Sequence, residues 1–149
     1  MAIVKTKVAE ALSPMLSGFH SVSGQSLRSI KQVFTEGSLD RFILDFGPKS
    51  LVVIADEDDD SIDVELMNTC DLHIVDGIDA SQMEPWKDFI GKSLGWGWIT
   101  VNQQGYCDGV LLSFGGIVPQ VMLNVAASSI KAGVIVGVAG PIFSDPQAR

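Results

Sequence analysis

The stretch Arg41–Leu66, RFILDFGPKSLVVIADEDDDSIDVEL, decides how the chain is read. Phe42, Leu44 and Phe46 fall on one side of a period-two pattern, and Gly47-Pro48-Lys49-Ser50 then turns the chain into the apolar run Leu51–Ala55. A cluster of acids follows, and Ile62, Val64 and Leu66 alternate with Asp63 and Glu65. Period two places successive side chains on opposite faces, so these are strands and not helices. Just upstream, Ile30, Gln32 and Phe34 alternate with Ser29, Lys31 and Val33 before the turn Glu36-Gly37-Ser38. Four strands joined by turns this short must run antiparallel, because a parallel crossover needs a dozen residues or more.

Downstream the pattern is looser and then resumes. Glu84–Gly91 reads as one or two helical turns, with Pro85 near the start and Gly91 at the stop. In Leu94–Thr100 the large residues Leu94, Trp96 and Trp98 share one face and glycines occupy the other, so either something packs closely on the glycine side or the strand bends there. The turn Asn102–Tyr106 leads to a strand at Val110–Phe114, Gly115-Gly116 turns again, and strands at Val121–Val125 and Ile130–Val136 follow. At the other end, Val4, Val8, Leu12 and Leu16 recur at a four-residue spacing that predicts a short amphipathic helix over 2–16. Pro14 either ends that helix at Ser13 or opens a new turn, and Ser17–Ser26 reads as loop. The expected fold is α+β: a mainly antiparallel β-sheet meander of about six to eight strands, with an N-terminal helix and a short helix in the middle. The chain is expected to be a single domain over 1–149, with helix and loop at 1–26, the sheet domain at 27–136 and a tail at 137–149.

Composition narrows the function classes. The net charge is −8, from 18 acids against 10 bases. No basic stripe is available to displace phosphate counterions, which argues against nucleic acid and anionic membrane as partners. Glu10 and Pro14 interrupt any signal-peptide core, and no apolar run reaches the ~18 residues of a membrane span, so the expected compartment is the cytoplasm. Cys70 and Cys107 form no metal-ligand spacing and are expected as buried free thiols, with a disulfide between them left open. His20 and His73 are isolated from any nucleophile, and His73 reads as a strand residue.

Trp96, Trp98, the run Asn102–Tyr106 with Asp108-Gly109, and Ala127–Ile130 resemble a family of small uncharacterised bacterial proteins. The resemblance covers about residues 27–136 and leaves the N-terminal helix outside. It implies an antiparallel-sheet domain with no assigned activity, similar in some members to immunity-type proteins that bind and block a toxin. It supplies no catalytic residue.

Two surface constellations are candidates for function. The first is the acidic contact surface Asp56, Glu57, Asp58, Asp59, Asp60, Asp63 and Glu65. A helix-loop-helix calcium site would need glycine at its sixth position and glutamate at its twelfth; counted from Asp56 these are Ser61 and Met67, so that pattern fails. A different divalent-metal site using Asp56, Asp58, Asp60 and Asp63 stays open. So does a solvated hairpin tip, where aspartates suit turn geometry and charge blocks edge-to-edge association. Asp63 and Glu65 project from one strand face, either as a solvated sheet surface or as paired carboxylates for acid–base chemistry. The second is the polar patch Asn102, Gln103, Gln104, Tyr106 and Asp108, a hydrogen-bonding surface or simply a turn. Trp96 and Trp98 could stack on a ligand, but aromatics at this spacing more often belong to a core. The leading expectation is a non-enzymatic module whose acidic surface meets a basic protein partner, with no cofactor and with a homodimer plausible from its strand edges. A metal-dependent protein and a small-ligand binder are the alternatives.

Overall fold

A computed structural model describes residues 2–56 and 58–135, the side chains of 2–9 and 11 excepted. The period-two segments form four consecutive strands: β1 (Ser29–Thr35), β2 (Ser38–Asp45), β3 (Lys49–Asp56) and β4 (Ser61–Asn68). The β1–β2 link is a two-residue turn in which Glu36 (φ 51°) and Gly37 (φ 83°) both take positive φ, matching the twist of the flanking strands. With the two-residue β5 (Ile78–Asp79) they make a five-stranded antiparallel sheet in the order β4-β3-β2-β1-β5.

The expected single meander is two sheets. β6 (Leu94–Val101), β7 (Cys107–Phe114), β8 (Val121–Ala126) and β9 (Ser129–Val134) form a second antiparallel sheet in sequence order. The described strands therefore number nine, above the six to eight expected. The last expected strand ran to Val136, and that residue, like the tail at 137–149, lies outside the described residues. The inner faces of both sheets, with the helix α1 (Ala2–Val22), enclose one core containing Phe19, Phe42, Leu51, Trp86, Leu112 and Leu123. Ile43, Val52 and Leu72 make a smaller cluster on the far side of the first sheet. That cluster explains β3: Ser50 to Val53 are all buried because both faces of the strand are covered, so it reads as a continuous apolar run.

Three local expectations are corrected. The helix does not stop near Pro14 but runs on to Val22. A proline inside a helix costs ~3 kcal/mol through a lost hydrogen bond and a ring clash. Beyond it, Met15, Phe19 and Val22 are buried at helical spacing, and Gly18 lets the helix approach Leu51 closely. Packing of that face outweighs the local breaker and the serine-rich composition. The helical turns expected around Pro85 are successive turns, closed by Trp86 N–H to Met83 O and Phe89 N–H to Trp86 O, each 2.8 Å. Their role is to insert Trp86 against Phe42 (ring centroids 5.5 Å apart) and Phe89 against Phe114 (5.1 Å). The short helix is instead a 3-10 turn at Thr69–Leu72, and exposed His73 ends it where a strand was expected. No helix among the described residues is long and apolar enough to cross a membrane.

Candidate functional site

The β3–β4 hairpin places the acids. Asp56 Oδ1 accepts the Asp58 N–H at 2.8 Å, Asp59 Oδ1 accepts the Ser61 N–H at 3.0 Å, and Asp60 takes a positive φ of 53°. Short polar side chains bonding to their own backbone two residues on are what shape such a turn. Asp63 and Glu65 pair across to Ile54 and Val52, on the face opposite Ile62 and Val64.

The β6–β7 turn is built the same way, with Asn102 Oδ1 accepting the N–H groups of Gln104 (2.9 Å) and Tyr106 (3.3 Å). Just beyond it, Asp108 Oδ1 accepts the Thr100 hydroxyl at 2.7 Å.

These two turns, some 40 residues apart in sequence, meet along one open groove of about 1110 Å³. One wall is Pro14, Met15 and Ser17 of α1; another is Gln104 to Cys107; between them lie Asp56, Asp59 and β4 from Ser61 to Leu66. Of the expected acids, Asp56, Asp59, Asp63 and Glu65 line the groove. Asp58 does not, Asp60 turns away to the Ser128 N–H at 2.8 Å, and Glu57 lies outside the described residues. Of the polar patch, Gln104 and Tyr106 line it, whereas Asn102, Gln103 and Asp108 do not. The contribution of α1 was not expected, since the sequence resemblance leaves the helix outside. The extension of its apolar stripe through Met15, Phe19 and Val22 is the signal that carries it.

The described lining of the groove is acidic. Among the described residues no lysine, arginine or histidine lines it, and none of its four acids forms an ion pair. Cys107 is buried in its wall, and its thiol is pushed above the ordinary value by burial, then by the charges of Asp108 and Asp63. Cys70, expected to be buried, is exposed beside Asp71 because the 3-10 turn holds it on the surface. Among the described residues no three His, Cys, Asp or Glu side chains converge as a metal would require. The tip aspartates are turned instead to backbone N–H groups.

The tryptophan strand is inverted relative to expectation. An irregularity between Leu94 and Trp96 sends Leu94 inward, leaving Trp96 more than half exposed and Trp98 partly so, their rings stacked 6.3 Å apart. Gly97 faces the core, against the ring of Phe19. The close approach expected on the glycine face is present, and its partner is the helix.

Neither the curated proteins nor the solved structures contain a match to the chain. One family model matches residues 13–138, so the relationship reaches back through Pro14 into α1 and does not begin at residue 27. The chain belongs to that family, a family of unknown function (DUF6334).

Proposed function

We propose that the protein is a non-enzymatic binding module whose acidic groove receives a basic surface of another protein. The observation that carries this reading is the convergence of the acidic hairpin, the Gln104–Tyr106 turn and α1 on one groove with four carboxylates and, among the described residues, no base. Unpaired carboxylates lining a concave wall focus negative potential and steer a cationic partner toward it. Tyr106 and Leu66, both exposed, add apolar area beside the charges, as contact surfaces commonly do. The resemblance gives the reading its sharper form: an immunity-type protein of a bacterial cytoplasm, covering the basic surface of a toxin. Pairing of two copies through β9, an outer strand of the second sheet, accompanies it, and sedimentation that finds monomer alone at high concentration removes that part.

The test compares the wild-type protein with a variant in which Asp56, Asp59 and Asp63 become asparagine and Glu65 becomes glutamine. A basic protein of the native host should be retained by the wild type near 0.01 M salt, where the Debye length is ~30 Å, and released as salt rises. The neutralised variant should retain it poorly at any salt. Equal retention by both proteins would remove the groove from the reading.

A further inference from the structure

β4 is the end strand of the first sheet, hydrogen-bonded to β3 on one side only. Backbone groups of successive strand residues point alternately to the two sides. Immediately after β4 the Thr69 N–H donates to Pro48 O at 2.9 Å, on the β3 side, so odd positions face β3. Ile62, Val64 and Leu66 then present their N–H and C=O groups to the other side, and the groove runs along that side. Among the described residues no backbone group of another element bonds to these three. The Val64 N–H is instead covered by the residue before it, Asp63 Oδ1 at 2.9 Å.

From this we infer that the groove recognises its partner by strand addition: an extended, basic segment pairs with the free edge of β4 from Ile62 to Leu66. The inference rests on the binding-module reading above and specifies its mode. Main-chain hydrogen bonds supply contact without regard to sequence, and side chains on alternate residues supply selection. On the outer face the added strand would lie beside Asp63 and Glu65, which favour lysine or arginine at every second position. On the inner face it would meet Pro14 and Tyr106, both exposed, which favour apolar residues between the basic ones. A second copy of β4 is a poor occupant, because Asp63 and Glu65 would then face their own like charges across the new pair. Asp63 therefore acts in two ways: its charge attracts a basic strand, and its carboxylate closes the Val64 amide until such a strand displaces it.

The experiment uses the full chain and a fluorescein-labelled peptide of about seven residues that alternates lysine and valine. Two further peptides carry N-methyl groups, one on its lysines and the other on its valines. A β-strand pairs with one neighbour through alternate N–H groups, so methylation of one set blocks pairing with β4 and methylation of the other does not. The expected result is that one methylated peptide binds about tenfold or more weakly while the other matches the parent. Hydrogen exchange at the Ile62, Val64 and Leu66 amides should slow when the parent peptide binds. The Asp63→Ala variant, its Val64 amide uncovered, should bind an uncharged threonine–valine peptide more tightly than the wild type does. If both methylated peptides match the parent and the edge amides exchange unchanged, strand addition is overturned while the acidic contact surface stands. If no peptide binds although the wild type still retains a basic protein that the neutralised variant loses, strand addition is overturned alone. Loss of that discrimination between wild type and variant overturns the underlying reading as well.

Discussion

Asp60 Oδ1 accepts the backbone N–H of Ser128 at 2.8 Å, tying the tip of the acidic hairpin in one sheet to the β8–β9 turn of the other. Both residues have positive φ, 53° and 65°, in a region that a side chain with a Cβ occupies at a cost. The acid at this position is therefore a structural fastener and not part of the groove. Replacement by alanine removes the acceptor and keeps the strain, whereas glycine removes both. The expected order of stability is wild type, then Asp60→Asn, Asp60→Gly and Asp60→Ala, with the alanine variant lower than wild type by about 1–2 kcal/mol. Urea denaturation of the four proteins checks the order, and an alanine variant as stable as the wild type contradicts it.

Gly97 and Phe19 make a close fit between α1 and the second sheet. A Cβ added at Gly97 would lie 2.4 Å from Phe19 Cγ, and the ring is buried. Gly97→Ala should cost about 1–3 kcal/mol through overpacking. Phe19→Leu, costly alone, should cost less in the alanine background because the smaller side chain makes room. A double-mutant cycle with no coupling between the two would show that the helix does not pack there.

The strands of the first sheet were legible because β1 and β4 alternate with period two, β3 is a short apolar run, and the turns between them carry glycine or acids. The two-sheet arrangement was not, since the split depends on where residues 69–92 cross, and their anchors Trp86 and Phe89 carry no period. Pro14 misled for a physical reason: a breaker is a local signal, and the burial that overrides it is not. Trp96 and Trp98 were misplaced because the irregularity at Gly95 shifts the strand by one residue and exchanges its faces. The acidic stretch and the Gln104–Tyr106 turn were each visible in the sequence, but their meeting in one groove is a tertiary fact that neither stretch encodes alone.

Asp79 and Ser81 hold β5 against β1. Asp79 Oδ1 accepts both the Ser81 hydroxyl (2.5 Å) and the Ser81 N–H (2.9 Å), and Ser81 Oγ in turn accepts the buried Ile30 N–H at 3.0 Å. Ser81→Ala leaves that N–H without its partner and should cost about 1–3 kcal/mol. The same hydroxyl, then the Ser81 amide, hold the Asp79 carboxyl below its ordinary value. A depressed carboxyl contributes stability that is fully present above its unfolded value and lost as pH falls through its folded value. Asp79→Asn should therefore be less stable than wild type at neutral pH, and the gap should close as the pH drops below about 4. Denaturation midpoints measured from neutral to acid pH check the sign; a gap that widens on acidification would refute the assignment.

The two thiols should separate cleanly in reactivity. Thiolate is the reacting form, so a raised value and restricted access both slow alkylation. Cys107 has both: it is buried in the groove wall, and burial followed by the Asp108 and Asp63 charges disfavours its ionisation. Cys70 is exposed on the 3-10 turn. Iodoacetamide at neutral pH should give one adduct, at Cys70, and a second at Cys107 only after denaturation, as read by mass spectrometry of digested protein. The Asp63→Asn variant refines the test, because it removes the smallest of the three causes and leaves burial in place. Cys107 should stay protected in that variant. If it becomes as reactive as Cys70, charge and not burial controls the thiol, and the groove wall at Cys107 is more open to solvent than its packing shows.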